Sequence, residues 1–240
     1  MKYAVVFSLL AATLLFNAWL VDEWLAAVPL VWTGISCGLV ATAYWLNAPG
    51  IFGKRPDGRM GLLQATILLP YRLLAQTVWW INTRLSAEPA WHRVDDRLVV
   101  GRRLLNHEVP TGINAVLDLT CEFAETHRLR FLTYRCLPML DASIPAIRPL
   151  LAAVQEAAAQ PGTLYIHCAQ GHGRTGMIAA LVMAARTELT PEVALARLQQ
   201  IRPGIVLNRH QHELLGRMGP ELVQARQADG RGAGPVPPAA

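Results

Sequence analysis

The sequence predicts an α/β domain, with a central sheet flanked by helices, that follows an N-terminal transmembrane helical hairpin. Three observations lead to this prediction: two long stretches without charge open the chain, short apolar strands then alternate with helical segments, and a glycine-rich loop joins one strand to a helix. The composition agrees, since 52% of the residues are hydrophobic and 16% are charged. These values exclude a disordered chain, and four cysteines in 240 residues exclude a disulfide-stapled scaffold.

The first two elements are the charge-free stretches at residues 3–21 and 24–46, which only Asp22 and Glu23 separate. Each is long enough to cross a hydrocarbon core of about 30 Å as a helix. A cleaved signal peptide is the competing interpretation of the first stretch, but its apolar part is longer than usual and a second stretch follows at once. We therefore predict two transmembrane helices within residues 1–50.

The charges that flank the hairpin indicate its orientation. Lys2 precedes the hairpin, and Lys54, Arg55 and Arg59 follow it, whereas the connecting turn carries two acids. Because positive residues stay on the cytoplasmic side of a membrane, both ends of the hairpin are expected to face the cytoplasm. The prediction is an integral membrane protein of a bacterial inner membrane, with the domain that follows the hairpin on the cytoplasmic side.

A third apolar stretch, residues 61–83, carries Arg72 at its middle. An arginine at the centre of a bilayer costs about 2.5–3.5 kcal/mol, so a helix lying in the membrane interface is favoured. The alternative is a third span, which would place the following domain outside. Residues 51–90 are thus predicted to be an amphipathic interfacial segment and a linker. Its aromatic residues Tyr71, Trp79 and Trp80 are expected at headgroup depth, and Arg72 and Arg84 near lipid phosphates.

Residues 91–226 are predicted to form one α/β domain, because strand and helix patterns alternate there. Thr190 and Pro191 supply the cap and the first residue of one of its helices. The tail at 227–240, rich in Gly, Pro and Ala, is predicted to be disordered. The predicted strands are 97–101, 115–119, 131–137 and 163–167, and the predicted helices are 145–160, 174–186, 191–201 and 209–228.

The basic charge balance does not predict nucleic-acid binding. The formal net charge is +5, of which residues 1–86 contribute +3 and residues 87–240 contribute +2. No cluster of lysine and arginine forms the kind of track that a phosphate backbone requires. We therefore expect a membrane bilayer, and no nucleic acid, as a partner.

The most specific feature is the segment from His167 to Gly176, which lies where a strand ends and a helix begins. The five residues between Cys168 and Arg174 are enough for successive backbone N–H groups to surround one tetrahedral oxyanion. Arg174 can add two parallel hydrogen bonds, which its planar guanidinium supplies. The sequence therefore predicts a phosphate-binding loop made of Ala169, Gln170, Gly171, His172, Gly173 and Arg174.

Cys168 is the predicted nucleophile of this loop. The positive environment of a phosphate site favours the thiolate, which is the nucleophilic form of cysteine. Thr175 can donate its hydroxyl to that sulfur and ease its departure later in the reaction. His167 is predicted to be a buried hydrogen-bonding residue that orients the loop.

These residues resemble a known family. His167 to Gly176 match the signature HCxxGxxR(S/T)G of the cysteine-based protein tyrosine and dual-specificity phosphatases. The resemblance extends over about residues 91–218 and includes 92–101, which is similar to the opening strands of the family. It implies a dual-specificity-phosphatase-like central sheet and a reaction through a cysteinyl-phosphate intermediate. It implies no cofactor and no metal, and the histidines around the loop match no zinc-ligand spacing.

The resemblance also implies an aspartic acid that protonates the leaving oxygen. Asp141 is the candidate, because it lies twenty-seven residues before Cys168 on a predicted loop that follows a strand. Asp118 is the rival, although its place within a strand favours a structural role. Residues 202–211 are similar to a segment that in many relatives positions the hydrolytic water. Gln211 is the candidate for that task, and a surface position on a helix is the alternative interpretation.

The resemblance leaves the substrate class open. A phosphoprotein, dephosphorylated at tyrosine or with dual specificity, is the predicted substrate, and a lipid phosphate monoester such as phosphatidylglycerophosphate or a phosphoinositide is the alternative. Ala169, Gln170 and His172 stand where phosphoinositide-specific relatives usually carry lysines. Arg174 and Asp141 argue against a sulfurtransferase of the rhodanese type. A pseudophosphatase scaffold is disfavoured because the nucleophile, the arginine and the acid are all present.

Overall fold

A computed structural model of the chain describes residues 2–228. The tail predicted to be disordered, 227–240, lies outside the described residues except for its first two, which end the last helix.

Two apolar helices occupy the region of the predicted hairpin. Helix α1 spans Lys2–Leu20 and helix α2 spans Trp24–Leu46, and both are long and apolar enough to cross a membrane. Only 17% and 28% of their most apolar windows are buried inside the protein. Such low burial is unlike that of core helices in soluble proteins, which bury their apolar faces. Small residues line their contact, since Gly34 and Gly38 of α2 both lie against Ala11 of α1.

The segment after the hairpin is a broken helix. A short 3-10 turn at Pro49–Phe52 leads to α3, Leu62–Ile67, and then to α4, Leu69–Leu85. The break packs against the side of α2, where the Trp32 indole donates to the carbonyls of Thr66 at 3.2 Å and Ile67 at 3.1 Å.

The helix predicted at 61–83 is thus two helices with a break at Leu68, and its place in the membrane interface stays a prediction. Pro70 explains the break, because it has no N–H and is accommodated only in the first turn of a new helix. Helix α4 has 17 residues, and the third-span alternative stays open.

The rest of the described chain is an α/β domain built on one five-stranded sheet in the order β1-β2-β5-β3-β4. Strand β1 runs antiparallel to β2, and the remaining neighbours are parallel. The four predicted strands are confirmed, and Trp91–Asp95 is a fifth. The strands are β1 Trp91–Asp95, β2 Leu98–Arg102, β3 Ile113–Thr120, β4 Thr133–Met139 and β5 Thr163–Cys168.

Helices cover both sides of this sheet, and the four predicted ones are confirmed to within two residues. These four are α6 Ile147–Ala159, α7 Gly173–Arg186, α8 Pro191–Ile201 and α9 Arg209–Ala228, and the short helix α5, His127–Arg130, was not predicted. The predicted cap of α8 is also confirmed, because the Thr190 hydroxyl accepts a hydrogen bond from the Val193 N–H at 3.4 Å. The predicted fold class, a central sheet flanked by helices, is that of the structure.

The centre of the domain is the pair β5 and α7. All six residues of β5 are buried, and eleven of the fourteen residues of α7 are buried. Strand β5 lies between β2 and β3 in the sheet. Because β5, β3 and β4 are parallel, their carboxyl ends meet at one edge, where sites form in such sheets. The loop between β5 and α7 lies at this edge.

Candidate active site

The loop between β5 and α7 contains a glycine that its path requires. Gly171 has φ +74°, a backbone conformation that other residues adopt at a cost. A side chain at this position would also collide with the backbone of Gly101 in β2. The loop ends at Gly173, the first residue of the fourteen-residue helix α7. Its backbone N–H groups and the start of α7 are thus available to an anion.

A buried arginine outside the loop holds the loop in place. The Arg202 guanidinium donates to the carbonyls of Gly171 at 2.9 Å and Gln170 at 3.1 Å, and it pairs with Glu88 at 2.7 Å. Glu88 also contacts the ring of His172 at 2.7 Å. Burial raises the pKa of Glu88, but hydrogen bonding to His172 and the charge of Arg202 lower it below its ordinary value. Sequence reasoning missed Arg202 and Glu88 as partners of the loop.

Cys168, the predicted nucleophile, is the last residue of β5 and is 4% exposed. Thr175 is fully buried in the first turn of α7. Its hydroxyl has no hydrogen-bond partner among the described residues, so the predicted bond to the Cys168 sulfur is not formed here. The hydroxyl is therefore unengaged next to the loop.

Arg174 is fixed by a carboxylate that sequence reasoning missed. Its Nη1 donates to Glu122 Oε2 at 3.0 Å and to the Met139 carbonyl at 2.9 Å, and its Nη2 donates to Glu122 Oε1 at 2.7 Å. The Nε has no hydrogen-bond partner in the described chain. A guanidinium carries five N–H donors, so Nε and one hydrogen of Nη2 remain as an adjacent pair. That pair has the geometry that two oxygens of a phosphoryl group accept.

The charge of Glu122 balances that of Arg174 inside the protein. Burial raises the pKa of Glu122, but the Arg174 guanidinium outweighs this and holds the pKa below its ordinary value. Glu122 is therefore ionised at neutral pH and orients the guanidinium. The residue lies two positions after the carboxyl end of β3, a place that could have marked it as a site candidate in the sequence.

Asp141, the predicted acid, lies on the loop after β4 with its side chain 55% exposed. Its Oδ1 is 3.4 Å from Arg174 Nε, and its Oδ2 accepts a hydrogen bond from the Tyr3 hydroxyl at 3.5 Å. The next residue, Ala142, has φ +56°, and its carbonyl accepts from Asn208 Nδ2 at 2.9 Å. Asp141 thus lies beside Arg174 and is open to solvent.

Asp118, the rival acid, is completely buried and engaged elsewhere. It forms an ion pair with Lys54 and accepts from the Tyr134 hydroxyl at 2.7 Å. Burial raises the pKa of Asp118, but the charges of Lys54 and His167 hold it well below its ordinary range. An acid that stays ionised and paired cannot supply a proton to a substrate, which agrees with the structural role predicted for Asp118.

His167 is fully buried, and its Nδ1 lies within hydrogen-bond distance of the Cys168 carbonyl, at 3.3 Å. Its Nε2 lies 2.6 Å from Glu125 Oε2 and 3.9 Å from Asp118 Oδ1, and its ring stacks on Tyr165 with centroids 5.2 Å apart. Burial lowers the pKa of His167, but Glu125 and Asp118 raise it above its ordinary value. Asp118, Glu125 and His167 are close enough to ligate a metal ion. Lys54 forms an ion pair with Asp118 in this cluster.

Gln211 is buried, so the alternative of a surface position on α9 is wrong. It is 2% exposed, and its Oε1 accepts from the Asn208 N–H at 3.1 Å. A Cβ placed on Gly173 would lie 3.2 Å from that oxygen, so the amide sits against the start of α7. Its Nε2 has no hydrogen-bond partner in the part of the chain described.

Trp79 of α4 contacts the loop directly. It is 3% exposed, and its indole donates to the Ala169 carbonyl at 3.0 Å. The Arg103 guanidinium lies 5.1 Å from its ring centroid. The prediction that Trp79 sits at lipid headgroup depth is therefore wrong, because the domain covers it. Tyr71 also differs, since it is partly buried against Phe7 and Phe52, whereas Trp80 is exposed.

One cavity of about 680 Å³ joins these residues. The predicted nucleophile, loop, arginine, acid and amide line one part of it, and the helices α1 and α4 line another. Asp118 and His167 do not line it. The site-side lining residues are Glu122, Asp141, Cys168, Ala169, Gln170, His172, Gly173, Arg174 and Gln211.

Part of the domain matches a known family. Residues 103–187 match the model of a family described as "Tc-R-P: Polymorphic toxin system, DSP-PTPase phosphatase". No curated protein matches the chain.

Solved structures give the same picture of the fold. The structure of DUSP15 is 16% identical, covers 61% of this chain and 99% of its own, and has a TM-score of 0.51. The structure of a human tyrosine phosphatase-like serine/threonine/tyrosine-interacting protein is 16% identical and has a TM-score of 0.50. The match covers 57% of this chain and 99% of that protein's chain. The structure of PTPMT1 in complex with PI(5)P is 20% identical and has a TM-score of 0.49. The match covers 57% of this chain and 98% of the PTPMT1 chain. The domain therefore has a dual-specificity-phosphatase-like fold.

Proposed function

We propose that this chain is a membrane-anchored, cysteine-dependent hydrolase of phosphate monoesters, with its catalytic domain in residues 91–226. The observation that carries the proposal is that Cys168, Arg174 and Asp141 border one cavity, although β5, α7 and the loop after β4 supply them separately. A phosphoric monoester hydrolase is also what the matching phosphatase family supports.

The first step transfers the phosphoryl group to the enzyme. The phosphate accepts hydrogen bonds from the backbone N–H groups of the loop and from Nε and Nη2 of Arg174, where it replaces the contact between Nε and Asp141 Oδ1. The Cys168 thiolate attacks phosphorus, an S–P bond forms, and the bond to the ester oxygen breaks. Protonated Asp141 gives its proton to that leaving oxygen. The products are an alcohol and a cysteinyl-phosphate.

The second step hydrolyses the intermediate. Asp141, now a carboxylate, accepts a proton from water as the water oxygen attacks phosphorus and the S–P bond breaks. The unpartnered Nε2 of Gln211, next to the start of α7, is placed to orient that water. The unengaged hydroxyl of Thr175 stabilises the departing Cys168 thiolate. No cofactor takes part in either step.

Asp141→Asn tests the acid role. We expect this substitution to slow the hydrolysis of phenyl phosphate by about 10²-fold or more, because general acid catalysis contributes at least that much to the rate. The hydrolysis of para-nitrophenyl phosphate should slow less, since its leaving group departs without a proton. Steady-state phosphate release from both esters measures the difference, and Asp96→Asn on the surface is the matched control. Equal losses for both esters would remove Asp141 from the acid role.

Membrane anchoring rests on α1 and α2, whose apolar surfaces the rest of the protein leaves largely uncovered. We propose that residues 1–50 anchor the chain, that 51–90 join anchor and domain, and that the domain is cytoplasmic. The positive residues at both ends of the hairpin support this orientation. The joining segment is more than a linker, because it supplies Lys54 to Asp118 and Trp79 to the loop.

The orientation can be tested with introduced cysteines. In intact cells, a membrane-impermeant maleimide should label Asp22→Cys in the hairpin turn and should leave Arg217→Cys in α9 unlabelled until the cells are opened. Both positions are exposed to solvent, and the unmodified protein serves as the blank. Labelling of both positions from the same side would contradict the hairpin.

Two substrate classes share this chemistry. Sequence reasoning placed a phosphoprotein narrowly ahead of a lipid phosphate monoester. The second class gains support from the cavity, because membrane helices form part of its wall. A phosphopeptide is then the competing substrate in the experiment that follows.

A further inference from the structure

The catalytic cavity opens toward the predicted membrane anchor. Tyr3, Val6, Phe7 and Leu10 of α1 line it. These positions follow one face of a helix, at spacings of three and four residues. A continuous stripe of α1 therefore faces the cavity that contains Cys168.

Helix α4 supplies the opposing wall. Leu74, Ala75 and Val78 line the cavity at the same helical spacing, and Trp79 continues the wall to the loop at Ala169. These eight side chains of α1 and α4 define a mainly apolar groove that is continuous with the phosphate-binding loop. We call it the α1–α4 groove.

The α1–α4 groove is uncovered. Val6 is 50% exposed and Leu10 is 43% exposed on one side, and Leu74 is 52% exposed and Val78 is 47% exposed on the other. Apolar surface of this kind, contiguous and next to a polar site, marks a place where an apolar ligand or surface binds. An occupant of the whole cavity must be anionic at one end and apolar at the other.

The direction of the groove specifies the occupant further. Tyr3 lies in the first turn of α1, which the predicted topology places at the cytoplasmic face. Leu10 lies seven residues further along α1, about 10 Å deeper at 1.5 Å per residue. The groove thus extends from the depth of a headgroup to the depth of acyl chains, while Arg174 binds phosphate at its outer end.

Resting on the proposed function, we infer that the substrate is a membrane lipid with a terminal phosphate monoester. Its phosphate binds the loop at Cys168 and Arg174, and part of its acyl chain lies in the α1–α4 groove. The anchor then forms part of the substrate-binding site. A phosphopeptide fits the α1–α4 groove less well, because its backbone N–H and C=O groups would lie against Val6, Leu10, Leu74 and Val78, which offer no hydrogen-bond partners; Tyr44, Tyr71 and Asn82 line other parts of the cavity.

The experiment uses the full-length protein in mixed micelles and two lipids that differ only in chain length. Phosphate release is measured from dipalmitoyl and from dihexanoyl phosphatidylglycerophosphate. Val6→Trp and Leu10→Trp place bulk in the groove. Val5→Trp and Leu9→Trp are the matched controls, because these residues are 44% and 63% exposed on α1 and do not line the cavity.

We expect both groove variants to lower the ratio of long-chain to short-chain turnover by about tenfold, the scale on which a shaped apolar pocket discriminates. The two control variants should leave that ratio unchanged. Equal changes in groove and control variants would overturn the inference. So would a wild-type protein that hydrolyses a phosphotyrosine peptide faster than either lipid.

The same experiment separates this inference from the proposed function. Para-nitrophenyl phosphate needs no acyl site and reports the chemistry alone, with Cys168→Ser as the blank. If the protein hydrolyses para-nitrophenyl phosphate but hydrolyses the long-chain and short-chain lipids equally fast in every variant, the lipid groove is refuted. The proposed hydrolase activity would then still stand. Absence of turnover above the blank would refute the hydrolase itself.

Discussion

Replacing Cys168 by serine is expected to reduce phosphate release by roughly 10³-fold or more for every phosphate monoester that the protein accepts. The serine hydroxyl stays protonated at neutral pH and is a much weaker nucleophile than a thiolate. The fold should persist, because the substitution at this buried position changes one atom. Steady-state phosphate release from para-nitrophenyl phosphate measures the loss.

The control for this experiment is another cysteine of the same sheet. Cys136 in β4 does not line the cavity, so Cys136→Ser should keep turnover within about twofold of the wild type. Thermal unfolding of both variants checks that neither has lost its fold. Activity of Cys168→Ser within tenfold of the wild type would contradict a covalent mechanism.

The second large effect concerns stability. Lys54→Met should destabilise the protein by about 3–5 kcal/mol, because it leaves the Asp118 carboxylate buried without its cation. Both side chains of this ion pair are completely inaccessible to solvent. Lys54 lies between the anchor and α3, so the loss also loosens the joining segment from β3. The free energy of unfolding in denaturant, with the protein in detergent, measures the change.

Two further variants make this prediction specific. Arg55→Met removes the same charge from an exposed neighbouring position and should change stability by less than about 0.5 kcal/mol. Adding Asp118→Asn to Lys54→Met removes the unpaired charge and should recover part of the loss. A Lys54→Met protein as stable as Arg55→Met would show that the pair contributes nothing.

The elements of the fold were predictable because their signals are local. Apolar periodicity located α6 and the strands β3 and β5, and Thr190 with Pro191 located the start of α8. The phosphate loop was predictable for a similar reason, since Cys168, Gly171 and Arg174 lie close together in sequence. Chain order alone then brings them to one strand-to-helix turn.

The contacts that hold the site residues in place were not predictable from such local patterns. Glu122 meets Arg174 across 52 residues, and the Glu88 side chain accepts from the Gly204 N–H across 116 residues. Contacts over these separations depend on the order of strands in the sheet, which no local pattern contains. Trp79 illustrates the opposite error. Aromatic residues next to arginines are typical of membrane interfaces. In the fold, however, the Trp79 indole lies against the phosphate-binding loop and donates a hydrogen bond to the Ala169 carbonyl.

The measurement that tests the central claim most directly is the identification of the phosphorylated intermediate. The full-length protein is mixed with a ³²P-labelled phosphate monoester, denatured rapidly in detergent, digested and analysed by mass spectrometry. The account predicts phosphate on Cys168, and none in the Cys168→Ser protein under the same conditions. Phosphate on a different residue, or a wild-type protein that turns over without a trapped phosphoenzyme, would contradict it.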